Sequence, residues 1–209
     1  MDDQRDNLRG RFIVIDGPDG AGKSTQVQLL AKWLNEVIPV TVTRDPGGTA
    51  VGDRIRQVLL DRSHGEMSVE CELMLYMASR AQLAAEVIRP ALLGGDCVLC
   101  DRWVSSTVAY QGAGGADVAS IAAVAAVAVA GIAPDLTIIV DLPAEAGLAR
   151  VKRHHDRMEA KGAAFHQKVR ELFLRQAQQS PQWFSVIDGA ADPDTVQRRL
   201  REVLNRREW

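Results

Sequence analysis

Residues Gly17 to Thr25 read Gly-Pro-Asp-Gly-Ala-Gly-Lys-Ser-Thr, a combination suited to gripping a polyphosphate. Without side chains at Gly17, Gly20 and Gly22 the backbone can curl so that successive N–H groups point inward as an anion nest. Pro18, Asp19 and Ala21 fill the loop between them. Lys23 follows at the spacing that reaches β- and γ-phosphate oxygens, and the hydroxyl of Ser24, with Thr25 beside it, is placed for Mg²⁺. A helix beginning near Lys23 would add the positive end of its dipole. The bland alternative is a glycine-rich turn joining a strand to a helix. The apolar run Phe12–Ile15 before it and the helical pattern after it favour the phosphate loop.

Further along, Asp101-Arg102 closes the apolar run CVLC. An acidic residue at such a strand end, in a chain with a phosphate loop, suits Mg²⁺ directly or through water, and the adjacent guanidinium suits a second phosphate. Tyr76 and Arg80 lie one helical turn apart on an otherwise apolar stripe, where an inward guanidinium needs an anion or acceptor. They suit a planar ligand, although a Tyr and an Arg at a helix rim explain the spacing equally well. Ser105 to Gly115 mixes hydroxyls, a ring and an amide, which predicts a binding loop. Arg150, Lys152, Arg153, His154, His155 and Arg157 form a basic run. In isolation that is a solvated face, but beside a phosphate loop it fits a lid that neutralises a transferring phosphoryl.

These groups require elements to hold them. Helical spacing runs from Lys23 to Asn35, Val51 to Leu60, about Ser68 to Leu93, Val118 to Ala130, from Glu145, Phe165 to Gln179, and Pro193 to Arg206. Between them lie apolar strands at Phe12–Ile15, Val40–Thr43, Cys97–Cys100, Leu136–Val140 and Trp183–Ile187. The turn Arg44-Asp-Pro-Gly-Gly-Thr49 follows the second strand and belongs on the ligand-binding edge of an open sheet. The alternation predicts an α/β chain: a three-layer P-loop fold with a five-stranded parallel sheet flanked by helices. Residues 1–10 are expected to be a flexible arm, 11–209 one domain, and about 150–163 its lid.

The chain has 209 residues, 25% of them charged and 46% apolar, with a net charge of −2. This composition bounds it to one ordinary globular core and speaks against a nucleic-acid binder. There is no secretion-type apolar segment near the start, and Ile121–Ile132 is too short to span a bilayer. Cys71, Cys97 and Cys100 suit a reducing cytoplasm, and Cys97 and Cys100 leave a strand on opposite faces, which argues against a redox or metal pair.

Taken in order, the motifs resemble those of the thymidylate kinase family. FIVIDGPDGAGKST is similar to its phosphate loop, RDPGGT to its Arg-Glu-Pro-Gly-Gly-Thr loop, YMASRAQ to its base-binding helix, DRWVSSTVAYQG to its Asp-Arg-Tyr motif, and APDLTIIVDLP and DRMEAKGAAF to its later strand and lid. The resemblance implies transfer of the ATP γ-phosphoryl to dTMP, with Mg²⁺, in a cytoplasmic homodimer. It implies Asp19 on the sugar 3′-hydroxyl, Tyr76 stacked on thymine, Arg80 on its 4-keto oxygen and Arg102 on the acceptor phosphate. Arg44, Ser106, Thr107, Tyr110 and Gln111 complete the acceptor pocket, and Ser24 and Asp101 serve the metal. Gly20 stands where some members carry an arginine, so the catalytic cation is expected from the lid: Arg150, Arg153 or Arg157, with Arg153 preferred. Asp45, Tyr76 and Trp103 replace the family's usual Glu, Phe and Tyr. The rival readings are another P-loop nucleotide or nucleoside kinase and a non-catalytic nucleotide sensor. The Tyr76–Arg80 pair discriminates against the first, and the complement of cations against the second.

Overall fold

Strand β1 (Phe12–Asp16) is buried at every position, as expected of a parallel strand walled by neighbours and covered on both faces. In the computed structural model, which describes residues 4–150 and 157–209, it is the middle of a parallel sheet of order β2-β3-β1-β4-β5. The other strands are β2 (Val40–Arg44), β3 (Cys97–Asp101), β4 (Leu136–Asp141) and β5 (Phe184–Asp188). Helices α1 (Lys23–Leu34) and α9 (Pro193–Arg206) cover one face. The other carries α3 (Val69–Leu83), α5 (Val104–Ala113), α6 (Val118–Val129) and α8 (Ala163–Gln179). Alternation along the strands sorts the core: Ile13 and Ile15 pack with Leu30, Leu34 and Leu200, whereas Phe12 and Val14 pack with Leu83, Ile88 and Trp103. Cys97 and Cys100 obey the same rule, one in each cluster. Both thiols are free and buried, and burial pushes the Cys97 thiol up to about 12.

Helix α2 (Ala50–Leu60) starts on a Thr49 cap whose hydroxyl accepts from the Gly52 N–H. The helix expected over Ser68–Leu93 is not one regular α-helix. After α3 comes a π turn at Ala84–Ile88 and then α4 (Arg89–Leu93). Pro90 explains the widening, since its ring clashes with the carbonyl four residues back and it has no N–H to give. The expected arm also differs. Gln4–Leu8 form a 3₁₀ turn, Leu8 is 2% exposed within the core, and the Arg5 guanidinium stacks 5.1 Å over Trp33 while donating to its carbonyl at 2.7 Å. One leucine and one stacked arginine are enough to anchor so short a segment.

Most of the predicted binding loop at Ser105–Gly115 is helical, as α5 runs to Ala113 and only the two glycines lie beyond it. Its hydroxyls and amide find partners on neighbouring elements, so tertiary bonds override their indifferent helix propensity. α7 (Ala144–Arg150) follows β4. Among the described residues no helix is long and apolar enough to cross a membrane.

Candidate active site at the carboxyl edge of the sheet

The carboxyl ends of β1, β2 and β3 open into a cleft of about 380 Å³. Asp16, the last residue of β1, is fully buried and accepts from the Gly17 N–H at 2.8 Å, Ser105 Oγ at 2.6 Å and Ser106 Oγ at 2.7 Å. It thereby joins the start of the phosphate loop to α5. At Gly17 (φ 136°) a side chain would strike the Val140 carbonyl of β4, which leaves glycine as the fitting residue. Gly20, Gly22, Lys23, Ser24 and Thr25 line the cleft. Gly17, Pro18 and Ala21 shape the loop from behind: the Pro18 carbonyl accepts from Lys23 Nζ at 2.6 Å and Ala21 is core. Burial, and then repulsion from Arg102, bring the Lys23 ammonium down to about 8, against the pull of Asp19, Asp101 and Asp16.

Arg102 sits just past β3 with φ 73°, a left-handed backbone uncommon for a residue with a side chain. Its guanidinium donates to the Gly17 carbonyl at 3.2 Å and Ser106 Oγ at 3.0 Å, pairs with Asp19, and lies 5.0 Å over the Tyr110 ring. Burial pushes the Asp19 carboxyl up, but Arg102 and Lys23 more than offset this and hold it below the usual range. His166, on α8, approaches Asp19 to 3.9 Å and sits within 3.2 Å of the Glu159 carbonyl. Ser24 Oγ donates to Asp101 at 2.5 Å.

On the opposite wall stand Tyr76, Arg80, Thr107 and Gln111. Arg80 is 1% exposed, and Asp45 supplies the anion such burial requires: Nε donates to Oδ2 at 2.7 Å. Nη2 donates to Thr107 Oγ1 at 2.9 Å and to the Trp103 carbonyl at 3.2 Å. Nη1 meets the Met77 sulfur at 3.0 Å, a weak acceptor that leaves it donor capacity toward the cleft. Arg44 also lines the cleft, tethered to Asp53 at 3.2 Å.

The lid expectation fares differently. Arg153 lies outside the described residues. Arg150 donates to the carbonyls of Gly189 and Ala190, each at 3.1 Å, and Arg157 to that of Leu59 at 2.9 Å, so neither faces the cleft. Met158 and Glu159 do line it. Arg56 and Glu72 were not read from the sequence. Arg56 lines the cleft with Arg44 and Arg102 and donates to the Pro46 carbonyl at 2.9 Å. Burial, and then these two neighbours, depress its pKa. Its signal was helical spacing, since Gly52, Arg56 and Leu59 share the inward stripe of α2.

An anion nest, clustered guanidinium groups and a flat slot with directed donors can hold two phosphorylated molecules facing each other. The thymidylate kinase family model matches residues 15–200. This chain belongs to the thymidylate kinase family. It is 45% identical to a thymidylate kinase of Pseudomonas putida over 94% of this chain and 96% of that one. Against a thymidylate kinase of Carboxydothermus hydrogenoformans the identity is 46%, over 94% and 98%. The crystal structure of thymidylate kinase from Ehrlichia chaffeensis superposes with a TM-score of 0.79 at 30% identity, covering 94% of this chain and 98% of that one.

Proposed function

We propose that this chain transfers the γ-phosphoryl group of ATP to the 5′-phosphate of dTMP, giving dTDP. The observation that carries the reading is the arrangement of Arg102. It is held by the Gly17 carbonyl and Asp19 of the phosphate loop on one side and by Ser106 of the base-side wall on the other. A phosphate bound there stands against the loop that takes the donor.

The acceptor phosphate is already ionised near neutral pH, so positioning and charge neutralisation carry the reaction. Lys23 and the loop amides take the donor phosphates, and Arg102, with Arg56 and Arg44 nearby, takes the acceptor's. Asp19 accepts from the sugar 3′-hydroxyl, Tyr76 stacks on the base, and Arg80 donates to its 4-keto oxygen, where cytosine would present an amino group. Ser106, Thr107, Tyr110 and Gln111 shape the nucleoside slot. Ser24 and Asp101 fit Mg²⁺: two hard oxygens in contact suit an ion that takes few protein ligands and completes its shell with phosphate and water. Among the described residues no cluster of three or more His, Cys, Asp or Glu suggests a different metal. When bound, Mg²⁺ supplies charge neutralisation on the phosphates. Arg153 remains the preferred lid cation, given where Arg150 and Arg157 are engaged.

A homodimer is supported by apolar side chains left exposed on α3 and α6, Met74, Val118 and Val127, and light scattering in solution tests it. Free thiols, two of them buried, support a reducing cytoplasm. A coupled ADP-release assay with dTMP, dUMP, dCMP, UMP and thymidine decides the reaction. dTMP is expected to be the preferred acceptor, and phosphorylation of thymidine with dTMP refused would overturn the assignment.

A further inference from the structure

Glu72 lies in the first turn of α3, one turn before Tyr76, and is 4% exposed. Its two carboxylate oxygens have different partners. Oε1 accepts from Gln111 Nε2 at 2.8 Å, and Gln111 lines the base-side wall of the cleft. Oε2 lies 2.5 Å from Arg157 Nη2 and 3.7 Å from Lys161 Nζ. Arg157 is 8% exposed and is further fixed to the end of α2. Its Nε donates to the Leu59 carbonyl at 2.9 Å and its backbone N–H to that of Leu60 at 3.3 Å. Those carbonyls belong to the last turn of a helix, where intrahelical donors have run out. Met158 and Glu159, next in the chain, form part of the cleft wall.

One buried anion therefore serves two sites. A carboxylate fixes which end of the amide is nitrogen; that nitrogen keeps a second N–H, but its position beside Glu72 leaves the oxygen end of Gln111 to accept from the base. A pyrimidine whose ring N3 carries hydrogen is matched by that orientation, and one whose N3 is a bare lone pair is not. The same carboxylate neutralises Arg157, and a buried charge deprived of its partner is strongly unfavourable. If residues 157–161 withdraw, Glu72 must re-pair or rotate, and Gln111 is released from its orientation.

We propose that Glu72 is a positioning residue that couples base recognition to docking of residues 157–161, by holding Gln111 with one carboxylate oxygen and Arg157 with the other. This rests on the reading of the cleft as the dTMP site. Linkage then makes the effect reciprocal: seating the base stabilises the docked segment, and docking tightens the base.

Arg157→Ala, Glu72→Gln, their double variant and Gln111→Ala test the coupling, with KM measured separately for dTMP and ATP. Arg157 is outside the cleft lining, yet Arg157→Ala is expected to raise the dTMP KM roughly five- to tenfold, with the ATP KM changed less than about twofold. Glu72→Gln is expected to do the same and to narrow the preference for dTMP over dCMP, because a neutral amide no longer dictates which end of Gln111 faces the base. The double variant should be no worse than either single one. In the wild-type protein dTMP should slow hydrogen exchange of the amides of residues 157–162, and in Glu72→Gln it should not. A purely structural role would lower the active fraction, and with it kcat, at constant KM. The proposal is overturned if Arg157→Ala leaves the dTMP KM unchanged, or if dTMP fails to protect residues 157–162 in the wild type. Both readings hold even if Glu72→Gln does not fold. Gln111→Ala separates the two levels. An unchanged dTMP KM in that variant overturns the cleft assignment itself, whereas a raised one alongside a silent Arg157→Ala overturns only the coupling.

Discussion

Gly20 of the phosphate loop and Gly147 of α7 are pressed backbone to backbone. A Cβ on Gly20 would come within 2.6 Å of the Gly147 carbonyl carbon, and one on Gly147 would overlap the Asp19 carbonyl oxygen. A side chain at position 20 is therefore excluded by α7, which leaves no room there for a cation carried by the loop itself. Gly147→Ala, a change at a helical site outside the cleft, is expected to displace the loop and lower kcat/KM for ATP by about 100-fold or more. Gly65→Ala, whose added carbon would meet its nearest neighbour, the Arg62 carbonyl oxygen, at 3.7 Å in ordinary contact, should leave activity unchanged. Steady-state assays of both variants check this.

Lys23 titrates near 8 in the protein without nucleotide, below its ordinary 10.5. A triphosphate beside it would raise that value, so binding takes up a proton between the two values and ATP affinity falls as pH rises through this window. Calorimetry at pH ~8.5 in buffers of different ionisation enthalpy should register the uptake, and Lys23→Met should abolish it. The sign for folding is opposite. A depressed lysine pKa penalises the folded state fully below the folded value, and the penalty fades as pH rises toward the ordinary one, so Lys23→Met is expected to be the more stable protein at neutral pH. Lys23→Ala should lose orders of magnitude in rate while remaining folded. Normal turnover of that variant would refute the phosphate assignment.

Asp45 and Arg80 form a pair buried to 1% on each side. Removing the carboxylate strands a guanidinium, so Asp45→Ala is expected to lower stability by roughly 3–5 kcal/mol in denaturant unfolding and to raise the dTMP KM as Arg80 loses its orientation. Asp45→Glu keeps the carboxylate and should retain both properties better than Asp45→Ala does.

Asp101 shares the Ser24 hydroxyl with the site expected to hold Mg²⁺. Asp101→Asn is expected to raise the Mg²⁺ concentration for half-maximal activity by about 10- to 100-fold, and EDTA should silence both proteins. An unchanged magnesium requirement would move the ion elsewhere.

What could be read before the structure follows from how local each signal is. β1 and the phosphate loop were legible because a buried strand, three glycines and a lysine at fixed spacing leave few alternatives. Tyr76 and Arg80 announced themselves as polar residues on an apolar stripe. Glu72, one turn earlier on that stripe, did not, because a glutamate in the first turn of a helix is already explained by the dipole. Its burial depends on Arg157, in a distant part of the chain, and no local pattern reports such a pairing. α5 was misread as a loop for the same reason: the partners of Ser105, Ser106, Thr107 and Gln111 are Asp16, Arg80 and Glu72 on other elements. Residues 1–10 read as an arm because a lone leucine in a polar stretch carries no periodicity.

The left-handed backbone of Arg102 places folding and chemistry at odds at one position. Glycine there would relieve about 1 kcal/mol of steric opposition yet discard the guanidinium. Arg102→Gly should thus melt higher than Arg102→Ala while both are inert. Against arginine the balance differs, because glycine also leaves Asp19 without its ion pair. The gap between the glycine and alanine melting points would measure how much intrinsic comfort the polypeptide gives up to aim one cation.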